Sequence, residues 1–112
     1  MAFERACAVA DVAADGAYAV TLGGQDVAVA RDGDTFYAVE DQCSHALVAL
    51  SEGEVADCRI ECWLHGSEFD LRTGQPSGLP ATEPVATFPV EVRDGEVYVD
   101  VTTTLNGVRP SD

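Results

Sequence analysis

The tightest constraint on the fold is a two-residue repeat near the C-terminal end. The stretches Phe88-Pro89-Val90-Glu91-Val92-Arg93 and Glu96-Val97-Tyr98-Val99-Asp100-Val101 alternate apolar and polar residues about Asp94-Gly95. Alternate side chains of an extended chain point to opposite faces, and Asp-Gly readily takes the left-handed conformations of a two-residue turn, so this stretch predicts a β-hairpin. Pro89 has no N–H to donate to a ladder, which places it at an edge or a bend. Upstream, turn signals at Asp15-Gly16, Gly23-Gly24 and Asp32-Gly33-Asp34 bound three further strands, Ala17–Leu22, Gln25–Arg31 and Thr35–Glu40. No stretch carries a helical period with caps; Ala46–Leu50 suits a helical turn and a packed loop equally. The chain of 112 residues is long enough for one core and too short for two. The reading is a single all-β domain over residues 1–112. An insert over about residues 42–84 is rich in Gly, Pro, Ser and potential ligands, and loops held by a rigid sheet are where function usually sits.

Charge excludes several functions. Twenty acids face six arginines (Arg5, Arg31, Arg59, Arg72, Arg93 and Arg109) and no lysine, for a formal charge of −14. Phosphate backbones and anionic membrane surfaces require clustered cations, so nucleic-acid and membrane binding are not expected. The acidity suits a well-solvated surface or one that docks on a basic partner. A short chain of this charge leans toward a monomer. Met1-Ala2-Phe3-Glu4-Arg5 has no secretory signature, and no apolar run reaches half a membrane span, which places the protein in the cytoplasm. Thiols stay reduced there, so the four cysteines, Cys7, Cys43, Cys58 and Cys62, suggest metal binding over a disulfide framework.

The two histidines of the chain each follow a cysteine closely, in Cys43-Ser44-His45 and Cys62-Trp63-Leu64-His65. Sixteen residues separate the halves, so the pattern is C-x-H-x16-C-x2-H, two thiolates and two imidazoles from two loops. This pattern resembles the signature of the Rieske iron–sulfur proteins. The likeness continues through His65-Gly66-Ser67-Glu68-Phe69-Asp70, Thr73-Gly74 and Gly78-Leu79-Pro80-Ala81, and the chain is similar to the small Rieske-type ferredoxins over about residues 3–102. The resemblance implies an antiparallel sandwich of short strands with a cluster-binding loop subdomain and a C-terminal tail over residues 103–112. It also implies one [2Fe–2S] cluster with Cys43 and Cys62 on one iron and His45 and His65 on the other. Gly78–Ala81 would be the proline-containing third loop of that site. Trp63 and Leu64, between two of the donors, suit a shield over the cluster, a docking tip or packing beneath the loop.

By the same resemblance the protein is a one-electron carrier, taking electrons from a flavin-dependent NAD(P)H:ferredoxin reductase and delivering them to a terminal oxygenase. It is not the oxygenase itself, because a mononuclear iron site needs two further histidines and none remains. A cluster with two neutral imidazoles is less negative than an all-cysteine one, which raises its potential into a range of roughly −150 to +300 mV. Three features point to the low end. Val48 and Leu64 stand where the high-potential relatives carry a disulfide. Phe69 replaces a tyrosine hydroxyl donor, although Ser67 matches the serine donor. Residues 40–70 hold eight acids against Arg59 alone. Ferric iron acidifies a bound imidazole, so the potential should fall as pH rises past the first ligand ionisation. Other readings keep the cluster but make the protein a redox sensor or an accessory to cluster assembly. Zinc also accepts two thiolates and two imidazoles, although zinc fingers usually pair like with like across short gaps. Alternation through Asp57–Cys62 sets Cys58 and Cys62 on one face of a strand, with Cys58 a spare thiol and Cys7 a small buried hydrophobe. Gly66 and Gly74 read as turn glycines.

Overall fold

The computed structural model describes residues 3–42, 49–62, 67–77 and 83–108. Within them the strands are β1 (Glu4–Ala8), β2 (Asp15–Leu22), β3 (Gln25–Asp32), β4 (Thr35–Glu40), β5 (Val55–Ala56), β6 (Arg59–Glu61), β7 (Glu68–Asp70), β8 (Thr87–Phe88), β9 (Val90–Arg93) and β10 (Glu96–Val99). Single 3-10 turns occupy Val9–Asp11 and Leu50–Glu52. The strands form three antiparallel sheets, ordered β1-β10-β9, β2-β3-β4-β8 and β5-β6-β7. The three upstream strands and the hairpin about Asp94-Gly95 lie where alternation predicts them, except that β2 begins at Asp15, so Asp15 and Gly16 pair with Asp32 and Arg31 as strand and not turn. The hairpin pairs Glu96 with Arg93 and Val99 with Val90.

Pro89 is the bend between two sheets. β8 pairs with β4 in one, β9 pairs with β10 in the other, and Pro89 between them accepts the Asp100 N–H through its carbonyl at 3.1 Å. The strand predicted to reach Val101 ends at Val99, because the buried Asp100 accepts the N–H and O–H of Thr102 and turns the chain. β1 carries no clear alternation in Glu4–Ala8; its pairing with β10 shifts register between Arg5 and Cys7, and that pairing holds it extended.

The core is double, with β3 at its centre. Val27, Ala28, Val29 and Ala30 are all fully buried. The period of two sends Val27 and Val29 to one side, where they pack with Cys7, Val12, Leu22, Ala38, Ala86, Phe88, Val97 and Val99. Ala28 and Ala30 face the other side, with Val39, Leu50, Val55, Ile60, Cys62, Phe69, Leu71 and Val85. A strand buried on both faces needs this continuous apolar run. β4 divides in the same way between Ala38 and Val39, and residues 85 and 86 do so again. The layer β5-β6-β7 is therefore a separate small sheet laid over the alanine face of the larger one, and it falls within the predicted insert. Leu50 anchors its entry: the segment left open as helix or loop shows a 3-10 turn from Leu50, and 46–48 lie outside the described residues.

Candidate cluster-binding site

Of the four predicted ligands, Cys62 lies within the described residues; Cys43, His45 and His65 lie outside them, as do Val48, Trp63, Leu64, Gly66 and Gly78–Ala81. What the structure does show is the frame from which their loops spring. β6 and β7 pair Arg59 with Asp70, Ile60 with Phe69 and Glu61 with Glu68. One step further, the Cys62 N–H donates to the Ser67 carbonyl at 2.6 Å, which closes the base of the loop 63–66. Cys62 is fully buried in the core, unpaired with any other cysteine, and Ser67 is buried beside it in sequence register.

The described residues on either side of 43–48 are joined by an acid. The Asp41 carboxylate accepts both the N–H and the O–H of Ser51, each at 2.7 Å, and the Asp41 N–H donates to the Asp26 carbonyl of β3. Gly53 then brings this base against the other. A Cβ on Gly53 would stand 1.7 Å from the Glu61 carbonyl oxygen, and Glu61 immediately precedes Cys62. The Glu61 N–H in turn donates to the Glu54 carbonyl at 2.9 Å.

The segment over 78–82 has a closed base as well. Ser77 donates its N–H at 2.8 Å and its hydroxyl at 3.2 Å to the Glu68 carbonyl, one residue from Ser67. On the return side, the Val85 N–H donates to the Gly74 carbonyl at 2.9 Å. Ala86 and the buried Glu40 exchange two bonds: the Glu40 N–H reaches the Ala86 carbonyl, and the Ala86 N–H reaches Glu40 Oε1 at 2.8 Å. Glu40 adjoins Asp41, so the described residues that flank 43–48, 63–66 and 78–82 form one continuous rim. Sequence reasoning missed Glu40, Asp41, Ser51 and Gly53 as rim residues. Their one available signal was position, since they flank the C-x-H half of the pattern.

The other singled-out residues are structural. Asp57 and Cys58 are not strand but the turn between β5 and β6, with φ of 52° and 61°. A non-glycine residue resists that region by about 1–2 kcal/mol, and outside anchors hold it there. The Cys58 N–H donates to Asp32 Oδ2 at 2.8 Å, and its carbonyl accepts the Leu71 N–H at 2.9 Å. Cys58 packs on the same core cluster as Cys62, and its hydrogen bond with Tyr37 holds the tyrosine hydroxyl above the ordinary range. Cys7 is buried as predicted, and burial pushes its thiol up. Gly74 has the expected positive φ, 77°. Phe69, in the place of the tyrosine donor, is wholly buried core.

The donor set fits a mixed-ligand iron–sulfur cluster. The pattern offers two thiolates and two imidazoles, and Cys62, the one predicted donor among the described residues, stands in a dry apolar floor with Leu50, Ile60, Phe69, Leu71 and Val85. Among the described residues no group of three or more His, Cys, Asp or Glu could hold a metal ion, and three of the four predicted ligands lie outside those residues. The family model for the Rieske [2Fe-2S] domain matches residues 3–89.

The chain belongs to the Rieske [2Fe-2S] domain family.

Its relatives include ferredoxins of dioxygenase systems. Ferredoxin CarAc of Metapseudomonas resinovorans is 49% identical over 78 residues, 70% of this chain and 73% of that protein. The 3-phenylpropionate/cinnamic acid dioxygenase ferredoxin subunit of Escherichia coli (strain K12) is 40% identical over 97 residues, 86% of this chain and 91% of that protein. Among solved structures, a chain of the complex of reduced oxygenase and oxidized ferredoxin in carbazole 1,9a-dioxygenase superposes with a TM-score of 0.79. It is 43% identical and covers 87% of this chain and 91% of that one. The protein is a Rieske ferredoxin with one [2Fe–2S] cluster, an electron carrier and not itself a catalyst. The all-β antiparallel fold expected from the resemblance is the fold observed. No helix among the described residues is long and apolar enough to cross a membrane.

Proposed function

We propose that this ferredoxin carries single electrons from a flavin-dependent NAD(P)H:ferredoxin reductase to a terminal oxygenase in the cytoplasm, with its cluster held by Cys43, His45, Cys62 and His65. The observation that carries this reading is the 43% identity to a chain of a complex formed between an oxygenase and its ferredoxin. When bound, the cluster takes up and gives back one electron. The protein's own part is to hold it on a closed, dry rim and to present an acidic surface to a partner. Residues 1–112 act as one domain, with a core over about 3–102, the site carried by the insert 42–84, and a monomer as the working unit.

The dry thiol of Cys62 and the Gly53 contact support the ligand assignment. The Gly53 contact brings Glu61, which precedes the second half of the pattern, against the segment that follows the first. The closed, apolar floor suits a cluster, because a bound cluster is exposed to loss wherever water reaches its sulfurs.

The decisive measurement is the EPR spectrum of the dithionite-reduced protein. A rhombic signal whose average g value lies below that of all-cysteine clusters is expected. Substituting Ser for Cys43 or Cys62 should abolish it, and Cys58→Ser should leave signal and iron content unchanged. Oxidation of the reduced protein by a purified terminal oxygenase in a single-turnover assay then tests the partner. A colourless protein with stoichiometric zinc would overturn the reading.

A further inference from the structure

Asn106 lies beyond the residues matched by the family model, in a stretch whose sequence carries no motif. Its side-chain amide is saturated. Nδ2 donates to the carbonyls of Thr73 at 2.9 Å and Val85 at 2.8 Å. Oδ1 accepts the N–H of Thr87 at 3.3 Å and of Val108 at 3.2 Å. An amide has two donors and two acceptor lone pairs, so every one is used. One side chain thus ties together the turn after β7, the return segment before β8, β8 itself and the C-terminal stretch.

The fit around it is tight. A Cβ on Gly74 would stand 2.1 Å from the Val85 carbonyl oxygen and 2.6 Å from Asn106 Nδ2, so only glycine lets the clamp close. Both clamped points belong to the cluster site's frame. Gly74 leads through Gln75 and Pro76 to Ser77, which is bonded to Glu68. Val85 is fully buried in the same core cluster as Cys62, Leu50, Phe69 and Leu71.

We infer that Asn106 is a positioning residue for the cluster: it pins Val85 to the turn at Thr73-Gly74 and so keeps the floor beneath Cys62 closed to water. The inference rests on Cys62 being a cluster ligand, as proposed above. Without the clamp, local opening of the 73–87 frame needs fewer bonds to break. In Asn106→Ala, amide exchange at Gly74, Val85 and Thr87 should quicken by about tenfold or more, since several bonds are lost together. Bleaching of the cluster's visible absorption in a chelator should quicken by a similar factor. The potential should move upward, because admitted water favours the more negatively charged reduced cluster.

Two variants separate positioning from plain stability. Asn106→Asp keeps the acceptor for Thr87 and Val108 but cannot donate to Thr73 and Val85, so exchange should quicken at Gly74 and Val85 while Val108 stays protected. Val97→Ala loosens the other core cluster, in which that valine is fully buried, and Val97 makes none of the clamp's bonds. With solution conditions adjusted so that it and Asn106→Ala have equal global stability, it should hold its cluster and potential like the wild type. Equal cluster loss in the two variants, or an unchanged bleaching rate and potential in Asn106→Ala, would overturn the inference. Absence of the rhombic signal from the wild type would instead overturn the ligand assignment, and the two failures are told apart by that one spectrum.

Discussion

Two side chains, one absent and one unpartnered, are informative by themselves. Gly53 has φ of −88°, open to any residue, so the demand for glycine is purely steric: a Cβ would meet the Glu61 carbonyl at 1.7 Å. Gly53→Ala must push β6 aside at the end that carries Cys62. It should cost about 1–3 kcal/mol, as overpacking does, and lower the iron bound per chain; urea denaturation and iron analysis check both. Thr87 has a buried hydroxyl with no hydrogen-bond partner among the described residues. Thr87→Val removes that burden with little change in shape and should stabilise the protein by about 1 kcal/mol, read from the urea midpoint. Neither residue was singled out from the sequence. A glycine's necessity and a hydroxyl's isolation depend on atoms that arrive from elsewhere in the chain.

Turns and strands show how far local pattern reaches. The Asp94-Gly95 hairpin was legible because both residues suit left-handed backbone, and Asp94 does take φ of 50°. The Asp57-Cys58 turn was not, because Cys disfavours that region and the six-residue alternation around it looks like one strand. Asp32 and Leu71, 26 and 13 residues distant, hold it in place. The turn after β7 is held by charge. Burial pushes the Asp70 carboxyl up, but the N–H groups of Arg72 and Thr73 and the Arg72 guanidinium at 3.5 Å outweigh it and hold the pKa below the usual value. A depressed folded pKa stabilises above the unfolded value and loses that stabilisation as pH falls through the folded one. Amide protection at Arg72 and Thr73 should therefore fall below pH of about 4, and Asp70→Asn should remove this pH dependence.

Across the whole molecule the charge is strongly negative, and the cations among the described residues are occupied. The five arginines among the described residues each have a carboxylate partner: Arg5 with Glu96 at 3.0 Å, Arg93 with Glu91 at 3.2 Å, Arg72 with Asp70 at 3.5 Å, Arg59 with Glu68 at 3.9 Å and Arg31 with Asp34 at 4.0 Å. Arg31 and Arg93 also lie over the rings of Phe36 and Tyr98, at 5.1 and 4.5 Å. These exposed pairs add little stability each, and they leave most of the 20 acids uncompensated. Two consequences of opposite sign follow from adding salt. Screening self-repulsion should raise the melting temperature, while screening attraction to a basic oxygenase surface should slow bimolecular electron transfer. Stopped-flow rates between about 0.05 and 0.5 M salt test the second, and a salt-independent rate would remove electrostatic steering from the account.

The sequence by itself determined the all-β class, the hairpins, the acid excess and the four proposed donors. Each of these is written in neighbours: a period of two, a two-residue turn, a composition, or a cysteine two or three residues from a histidine. Only the tertiary structure decided how the three loop bases join into one rim, why Gly53 and Gly74 admit no side chain, and what Asn106 holds. Those features include contacts between residues from 8 to 46 positions apart, such as Gly53 with Glu61, Asp41 with Ser51 and Glu40 with Ala86. A hydrogen bond or a close approach over that separation leaves no local pattern, because its partners share a place in space and no spacing along the chain.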